Sequence, residues 1–137
     1  MSCFWYLYPT PHADPNDKEA ARRIKRKKMM SGEIMKIESK TQFDEAVAGG
    51  VVLADFWAPW CGPCRAQLPI LEDIAKKYAN RIAVIKVNID DNTELATAWK
   101  VEAVPTLFLF KDGTMLKRFT GAQKGETLTT YIDRFLE

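Results

Sequence analysis

Two cysteines separated by two residues, Cys61-Gly62-Pro63-Cys64, are the part of this sequence whose types and spacing could do chemistry. They follow an almost wholly apolar run, Val51 to Trp57, and the short link Ala58-Pro59-Trp60. Past Cys61 the pattern becomes helical, with Leu68, Leu71, Ile74, Ala75 and Tyr78 on one stripe. The cysteines are therefore expected at i and i+3 on the opening turn of a helix. Residues so spaced have Cβ atoms roughly 5–6 Å apart, close enough to bridge after small adjustment. Unpaired N–H groups and the helix dipole favour an anion at that end, so Cys61 is the expected thiolate and Cys64 its less exposed neighbour. Gly62 is expected to allow a sharp turn, and Pro63 fixes φ where its missing N–H costs nothing. Such a pair suits dithiol–disulfide exchange. The alternatives are a structural bridge or half a zinc site, and zinc would need two more ligands from Cys3, His12 and carboxylates.

Two charged residues interrupt apolar strands. Asp55 sits among Val, Leu, Ala and Phe, where desolvation raises a carboxylate's pKa and makes it a candidate proton acceptor. The alternative is a carboxylate satisfied by a hydroxyl or a water. Lys86 interrupts the run Ile82 to Ile89, and an edge-facing lysine there would reach past the strand to water. Pro105 precedes a strand, where proline forfeits a ladder hydrogen bond. Arg65 is either a cation beside the thiolate or a solvated helix residue. Trp99 is assigned to core or rim, and no role is expected of His12.

The elements that must position these residues alternate regularly. A strand over 34–37 precedes a helix capped by Ser39 or Thr41, running through Phe43, Ala46 and Val47 and ended by Gly49-Gly50. The Val51 strand and the cysteine helix follow, with Pro69 expected to kink the helix. Next come a strand over 82–89 and a short helix over 93–99. Strands over 106–110 and 115–120 are joined through Asp112-Gly113, a hairpin signal that makes them antiparallel. An amphipathic helix over 124–136 turns Leu128, Tyr131, Ile132 and Phe135 inward. The order βαβαβαββα predicts an α/β fold: a central mixed sheet of three parallel-type strands plus an antiparallel C-terminal hairpin, with helices on both faces.

Composition bounds the rest. A chain of 137 residues is one domain by size, and 47 % apolar with 28 % charged residues is ordinary for a globular protein. Residues 1–30 carry seven Lys/Arg against three acids, whereas the remainder carries thirteen against fifteen, so the folded part offers no basic face for nucleic acid. Residues 1–31 read as a disordered or loosely ordered extension, and 32–137 as the folded domain. The aromatic patch Phe4 to Tyr8 is far too short to span a membrane, and the basic run Arg22 to Lys28 follows it, the reverse of a secretory signal. Part of this segment is read as upstream sequence, with a working start at Met29, Met30 or Met35. Three cysteines make no disulfide framework and suit a reducing compartment and a catalytic pair, with Cys3 read as an incidental thiol and, as the alternative, a membrane or partner attachment point.

The octet Trp57-Ala58-Pro59-Trp60-Cys61-Gly62-Pro63-Cys64, with Asp55, Val104-Pro105-Thr106 and Gly121, resembles the thioredoxin family from about Glu33 onward. That resemblance implies the thioredoxin fold and a protein disulfide reductase in which Cys61 attacks and Cys64 resolves. It places Asp55 behind the inner cysteine, helping to deprotonate it, with Lys86 near that carboxylate and opposing its pKa rise. It makes Pro105 cis beside the cysteines, leaving the Val104 backbone to pair with an extended target. Trp60, Val104, Pro105, Gly121 and Ala122 would rim the binding surface, and Trp57 would pack beside it. Gly62-Pro63 marks reductants in the family, whereas relatives that oxidise or isomerise usually place His beside the inner Cys. A disulfide oxidase or isomerase is therefore the first alternative, and a binding subunit independent of its thiols the second. The resemblance implies no cofactor beyond the Cys61–Cys64 couple and no metal. Its implied partners are a thioredoxin reductase, NADPH- or ferredoxin-linked, and oxidised proteins, with the chain a monomer in the cytoplasm bound to neither nucleic acid nor membrane.

Overall fold

The computed structural model of the chain describes residues 30–136. Cys3, His12, the aromatic patch and the basic run lie outside them. In chain order the elements are β1 (Ile34–Ile37), α1 (Lys40–Val47), β2 (Val51–Trp57), α2 (Gly62–Lys77), β3 (Ile82–Asn88), α3 (Thr93–Ala98), β4 (Thr106–Lys111), β5 (Thr114–Thr120) and α4 (Gly125–Leu136). The strands form one five-stranded sheet in the order β1-β3-β2-β4-β5. β1, β3 and β2 are mutually parallel, and β4 and β5 run antiparallel. The predicted mixed sheet is thus observed, with β2 at its centre.

Local chemistry explains the joints. Ser39 caps α1, its hydroxyl accepting from Gln42 N–H at 3.1 Å, while Gln42 Oε1 accepts from Glu38 N–H at 2.7 Å. The β4–β5 turn holds Asp112 and Gly113 at φ +51° and +86°, the left-handed pair that a tight hairpin demands. Asp112 also ties the turn to the start of β2, exchanging bonds of 2.9 and 3.0 Å with the backbone of Gly50. Pro69 lies inside α2 without ending it.

Period-two alternation sends β2 side chains to two cores. Val52, Ala54 and Phe56 join Ala83, Ile85, Phe108 and Phe110 on the face covered by α1 and α3. Phe43, Phe56, Trp99, Phe108 and Phe110 form an edge-to-face and tilted aromatic cluster there, in which the half-buried Trp99 packs against the rim of the core. Val51 and Leu53 join Leu71, Ile74, Leu107, Leu109, Leu128 and Ile132 on the face covered by α2 and α4. Completely burying each large apolar side chain of these two layers contributes about 1.5–3 kcal/mol. Tyr78, at the end of α2, donates its hydroxyl to the Asp133 carboxylate of α4, and burial followed by that carboxylate pushes the phenol up to about 12.

The apolar stripe of α2 differs from the expected one. Gln67, not Leu68, takes the fully buried position after Cys64, and Leu68 is only half-buried. At the N-terminal edge of the described chain, Met30 packs against the first core and its carbonyl accepts Asn80 N–H at 2.6 Å.

Candidate active site

The apolar strand β2 ends at Trp57, and four residues later the chain opens α2 with Cys61 as its N-cap. Ala58 O accepts Cys61 N–H at 3.2 Å, and Arg65 reaches back to donate to Pro59 O at 3.0 Å, so the link is pinned from both sides. Arg65 thus serves the loop's geometry. Cys61 and Cys64 are joined as a disulfide across a Cα–Cα distance of 5.3 Å. Cys64 N–H points at Cys61 Sγ at 3.2 Å, the bond that an N-cap acceptor makes with the first turn. The sulfur predicted to carry negative charge therefore already receives a buried backbone donor.

Both cysteines are covered, Cys61 at 5 % and Cys64 at 3 % exposure. The expected contrast in exposure is absent in the disulfide form; what separates the two is position, one at the cap and the other inside the turn. They pack with Ala58 in a small cluster against Trp57, Ile89 and Val104. A Cβ at Gly62 would meet nothing within 4 Å, and its backbone lies outside the left-handed region, so the turn does not require glycine there. Pro63 lies on the first helical turn, as expected.

The other residues singled out from sequence converge unequally. The Val104–Pro105 bond is cis, and Val104 O lies 3.6 Å from Cys61 Sγ. Val104 N–H makes no hydrogen bond among the described residues. Pro105 O accepts Gly121 N–H at 2.8 Å, bringing Gly121, at φ +90°, into the same cluster of loops. Ala122 is exposed beside it. Trp60 is 64 % exposed, and its indole N–H donates to the Asp90 carboxylate at 3.2 Å, a partner that sequence reasoning did not foresee.

Asp55 lies on the α2 face of β2, at 2 % exposure. Burial pushes its carboxyl up to about 7, and the Lys86 ammonium opposes that rise. Among the described residues Asp55 Oδ1 has no hydrogen-bond partner, nor has the buried Trp57 Nε1. Lys86 is the register partner of Asp55 on β3, yet its Nζ sits 5.5 Å from the centre of the Trp57 ring and no ion pair joins it to the carboxylate. The electrostatic relation expected of Lys86 is present without a direct contact. Among the described residues no cluster of three or more His, Cys, Asp or Glu could hold a metal ion, and no helix is long and apolar enough to cross a membrane.

A paired Cys-x-x-Cys at a helix mouth, a buried carboxylate on the strand before it and a cis-proline loop against the outer sulfur form one arrangement. The family model described as Thioredoxin matches residues 34–134 of the chain. The chain belongs to the thioredoxin family. A thioredoxin of Chlamydia pneumoniae is 44 % identical over 101 residues, covering 74 % of this chain and 98 % of its own length. A thioredoxin of Staphylococcus haemolyticus is 40 % identical over 96 residues, 70 % of this chain and 92 % of its own. Among solved structures, a thioredoxin mutant from Halobacterium salinarum superimposes with a TM-score of 0.74 at 37 % identity, covering 78 % of this chain and 94 % of its own. Thioredoxin-type dithiol–disulfide exchange is accordingly the chemistry of the Cys61–Cys64 pair, and the chain is a thiol–disulfide oxidoreductase that works through its own sulfurs.

Proposed function

We propose that this thioredoxin runs in the reducing direction, as a general protein disulfide reductase of the cytoplasm supplied with electrons by a thioredoxin reductase. Residues 32–137 are read as the redox domain and 1–31 as an extension without a catalytic role. In the reduced protein the Cys61 thiolate attacks one sulfur of a target disulfide. That S–S bond breaks, a target thiolate leaves, and a mixed disulfide forms. Asp55 then accepts the proton of Cys64, whose sulfur attacks Cys61 Sγ, expels the second target thiolate and closes the Cys61–Cys64 disulfide. The target gains two electrons and two protons overall, and a dithiol of the reductase returns the pair to its starting state.

The observation that carries this division of labour is the Cys64 N–H directed at Cys61 Sγ, which favours charge on that sulfur alone. Target binding is read from Val104, whose unpaired N–H and whose carbonyl beside Cys61 Sγ offer one rung to an extended segment. Trp60, Pro105, Gly121 and Ala122 rim the contact, with Trp57 and Lys86 supporting it from behind and Gly62 and Pro63 shaping the turn. Recognition through backbone and shape implies broad specificity and calls for no nucleic acid, metal or second subunit.

Trapping tests the assignment. Mixed with insulin, reduced Cys64→Ser is expected to accumulate a covalent adduct through Cys61, because nothing resolves it. Cys61→Ser should accumulate little. An adduct that forms equally well in both variants would remove the assignment of roles.

A further inference from the structure

Few polar side chains of the described residues are buried, and Gln67 is the one that lies in the cysteine helix, at 1 % exposure and three residues after Cys64. Its neighbours on the same helix face are Leu71, Ile74 and Ala75. Burying an amide in such company gives no gain over a leucine unless every polar atom finds a partner. Gln67 finds both partners in one residue 56 positions away. Its Nε2 donates to Gln123 O at 3.0 Å, and its Oε1 accepts Gln123 N–H at 2.6 Å.

Gln123 belongs to the link between β5 and α4, which also carries Gly121 and Ala122. Gln123 Nε2 donates to Gly121 O at 3.1 Å, and Gly121 N–H donates to Pro105 O at 2.8 Å. Val104, joined to Pro105 by the cis bond, rests its carbonyl 3.6 Å from Cys61 Sγ. A closed circuit results: from Cys61 through Val104-Pro105 to Gly121, through Gln123 to Gln67, and along one helical turn back to Cys64. Among the described residues, the β5–α4 link before the helix is held by these bonds, two of which run through Gln67.

We infer that Gln67 is a positioning residue for target disulfides: its amide fastens the Gly121–Gln123 segment to the cysteine helix, so that this part of the rim is set before a target arrives. The inference rests on the reading that Gly121 and Ala122 contact targets. A leucine at this position would fill the space but leave the two backbone groups of Gln123 unpaired and the segment free to move. A loosened rim must be ordered during binding, which weakens binding of an extended polypeptide. A small aromatic disulfide that meets only Cys61 should not notice.

Gln67→Met in the full chain, similar in length and without hydrogen-bonding capacity, tests this with insulin and with 5,5′-dithiobis(2-nitrobenzoic acid). The expected result is an insulin KM raised about tenfold, with kcat and the rate on the small disulfide changed less than about twofold. Amide hydrogen exchange should accelerate at Gln123 and not at Leu53 or Val84 of the core. Should Gln67→Met fail to fold, Gln67→Leu serves instead, since it also fills the space and removes both bonds to Gln123 without burying a charge. An unchanged insulin KM despite faster exchange at Gln123 would overturn the inference, as would an equal loss on both substrates. Ala122→Asp separates this inference from the reading beneath it. If Ala122→Asp raises the insulin KM and Gln67→Met does not, the inference fails and the rim stands; if Ala122→Asp leaves the KM unchanged, the rim reading fails and takes the inference with it.

Discussion

Serine in place of Cys61 is expected to bring insulin reduction down to the rate of the reductant alone, a loss of more than about 10³-fold, because an alcohol neither ionises at neutral pH nor enters a disulfide. The fold should survive, since Cys61 contributes its cap acceptor and a small apolar contact, and serine replaces the former. Cys64→Ser is expected to fail differently. Its Cys61 thiolate still attacks, so the first target thiolate is released once per molecule and turnover then stops. A burst of one equivalent of target thiol, followed by a rate no higher than that of Cys61→Ser, is the kinetic mark of separate roles. Sustained turnover in Cys64→Ser would show that resolution does not need the inner sulfur.

Asp55→Asn should have the next largest effect, and it acts in opposite directions on stability and on rate. In the folded, oxidised protein the carboxyl titrates at about 7, above its ordinary value of 3.8, because burial disfavours the charge. Below 3.8 both folded and unfolded chains hold the proton and nothing is lost. As pH rises the unfolded chain ionises first, so it gains relative to the folded one until the folded carboxyl ionises as well. Stability attributable to this site therefore falls with rising pH between about 4 and 7, and the deficit is complete above 7. A shift of this size is worth at most about 4 kcal/mol. Asparagine carries no charge to desolvate. The variant should match the parent near pH 4 and melt on the order of 10 °C higher at pH 8, as followed by calorimetry of the oxidised forms. A gain that is the same at both pH values would mean that Asp55 destabilises by something other than its charge.

The same substitution removes the proton acceptor proposed for Cys64. Insulin turnover above pH 7, where Asp55 is ionised in the parent, should fall about 10²-fold, the low end of what a positioned general base supplies. Below pH 6 parent and variant should converge. A variant that turns over like the parent across neutral pH would leave Asp55 a matter of stability alone.

The strand–helix alternation was legible because each central strand is an apolar run and each turn carries its own chemistry. Ile34 to Ile37, the Ser39 cap and the Asp112-Gly113 hairpin stand where the sequence places them, with most other boundaries within a residue or so. The cysteine pair was legible for the same reason: its chemistry follows from a helix N-terminus, which is a local property. What local pattern could not reveal are contacts closed over long separations. Leu68 fits the helical period as well as Gln67 does, and only the backbone of Gln123 explains why the amide is the buried one. Trp60 finds Asp90 thirty residues on, through a loop whose course no periodicity encodes. Lys86 illustrates a subtler gap. Adjacent register with Asp55 is visible once the strands are paired, but the ammonium's position over the Trp57 ring depends on rotamers that the sequence does not specify. Gly62, expected to allow a sharp turn, stands at a site with room for a Cβ and a backbone outside the left-handed region, so the freedom that glycine offers is not used there.

The central claim is an asymmetry between two sulfurs that the disulfide structure shows as nearly equally buried. It is tested most directly by reducing the protein and following iodoacetamide alkylation of each cysteine, by mass, across pH. Cys61 is expected to react first, with its rate rising through a midpoint clearly below the ~8.5 of an ordinary thiol, while Cys64 stays protected until the domain unfolds. Equal rates at the two positions, or a Cys61 midpoint at the ordinary thiol value, would contradict it.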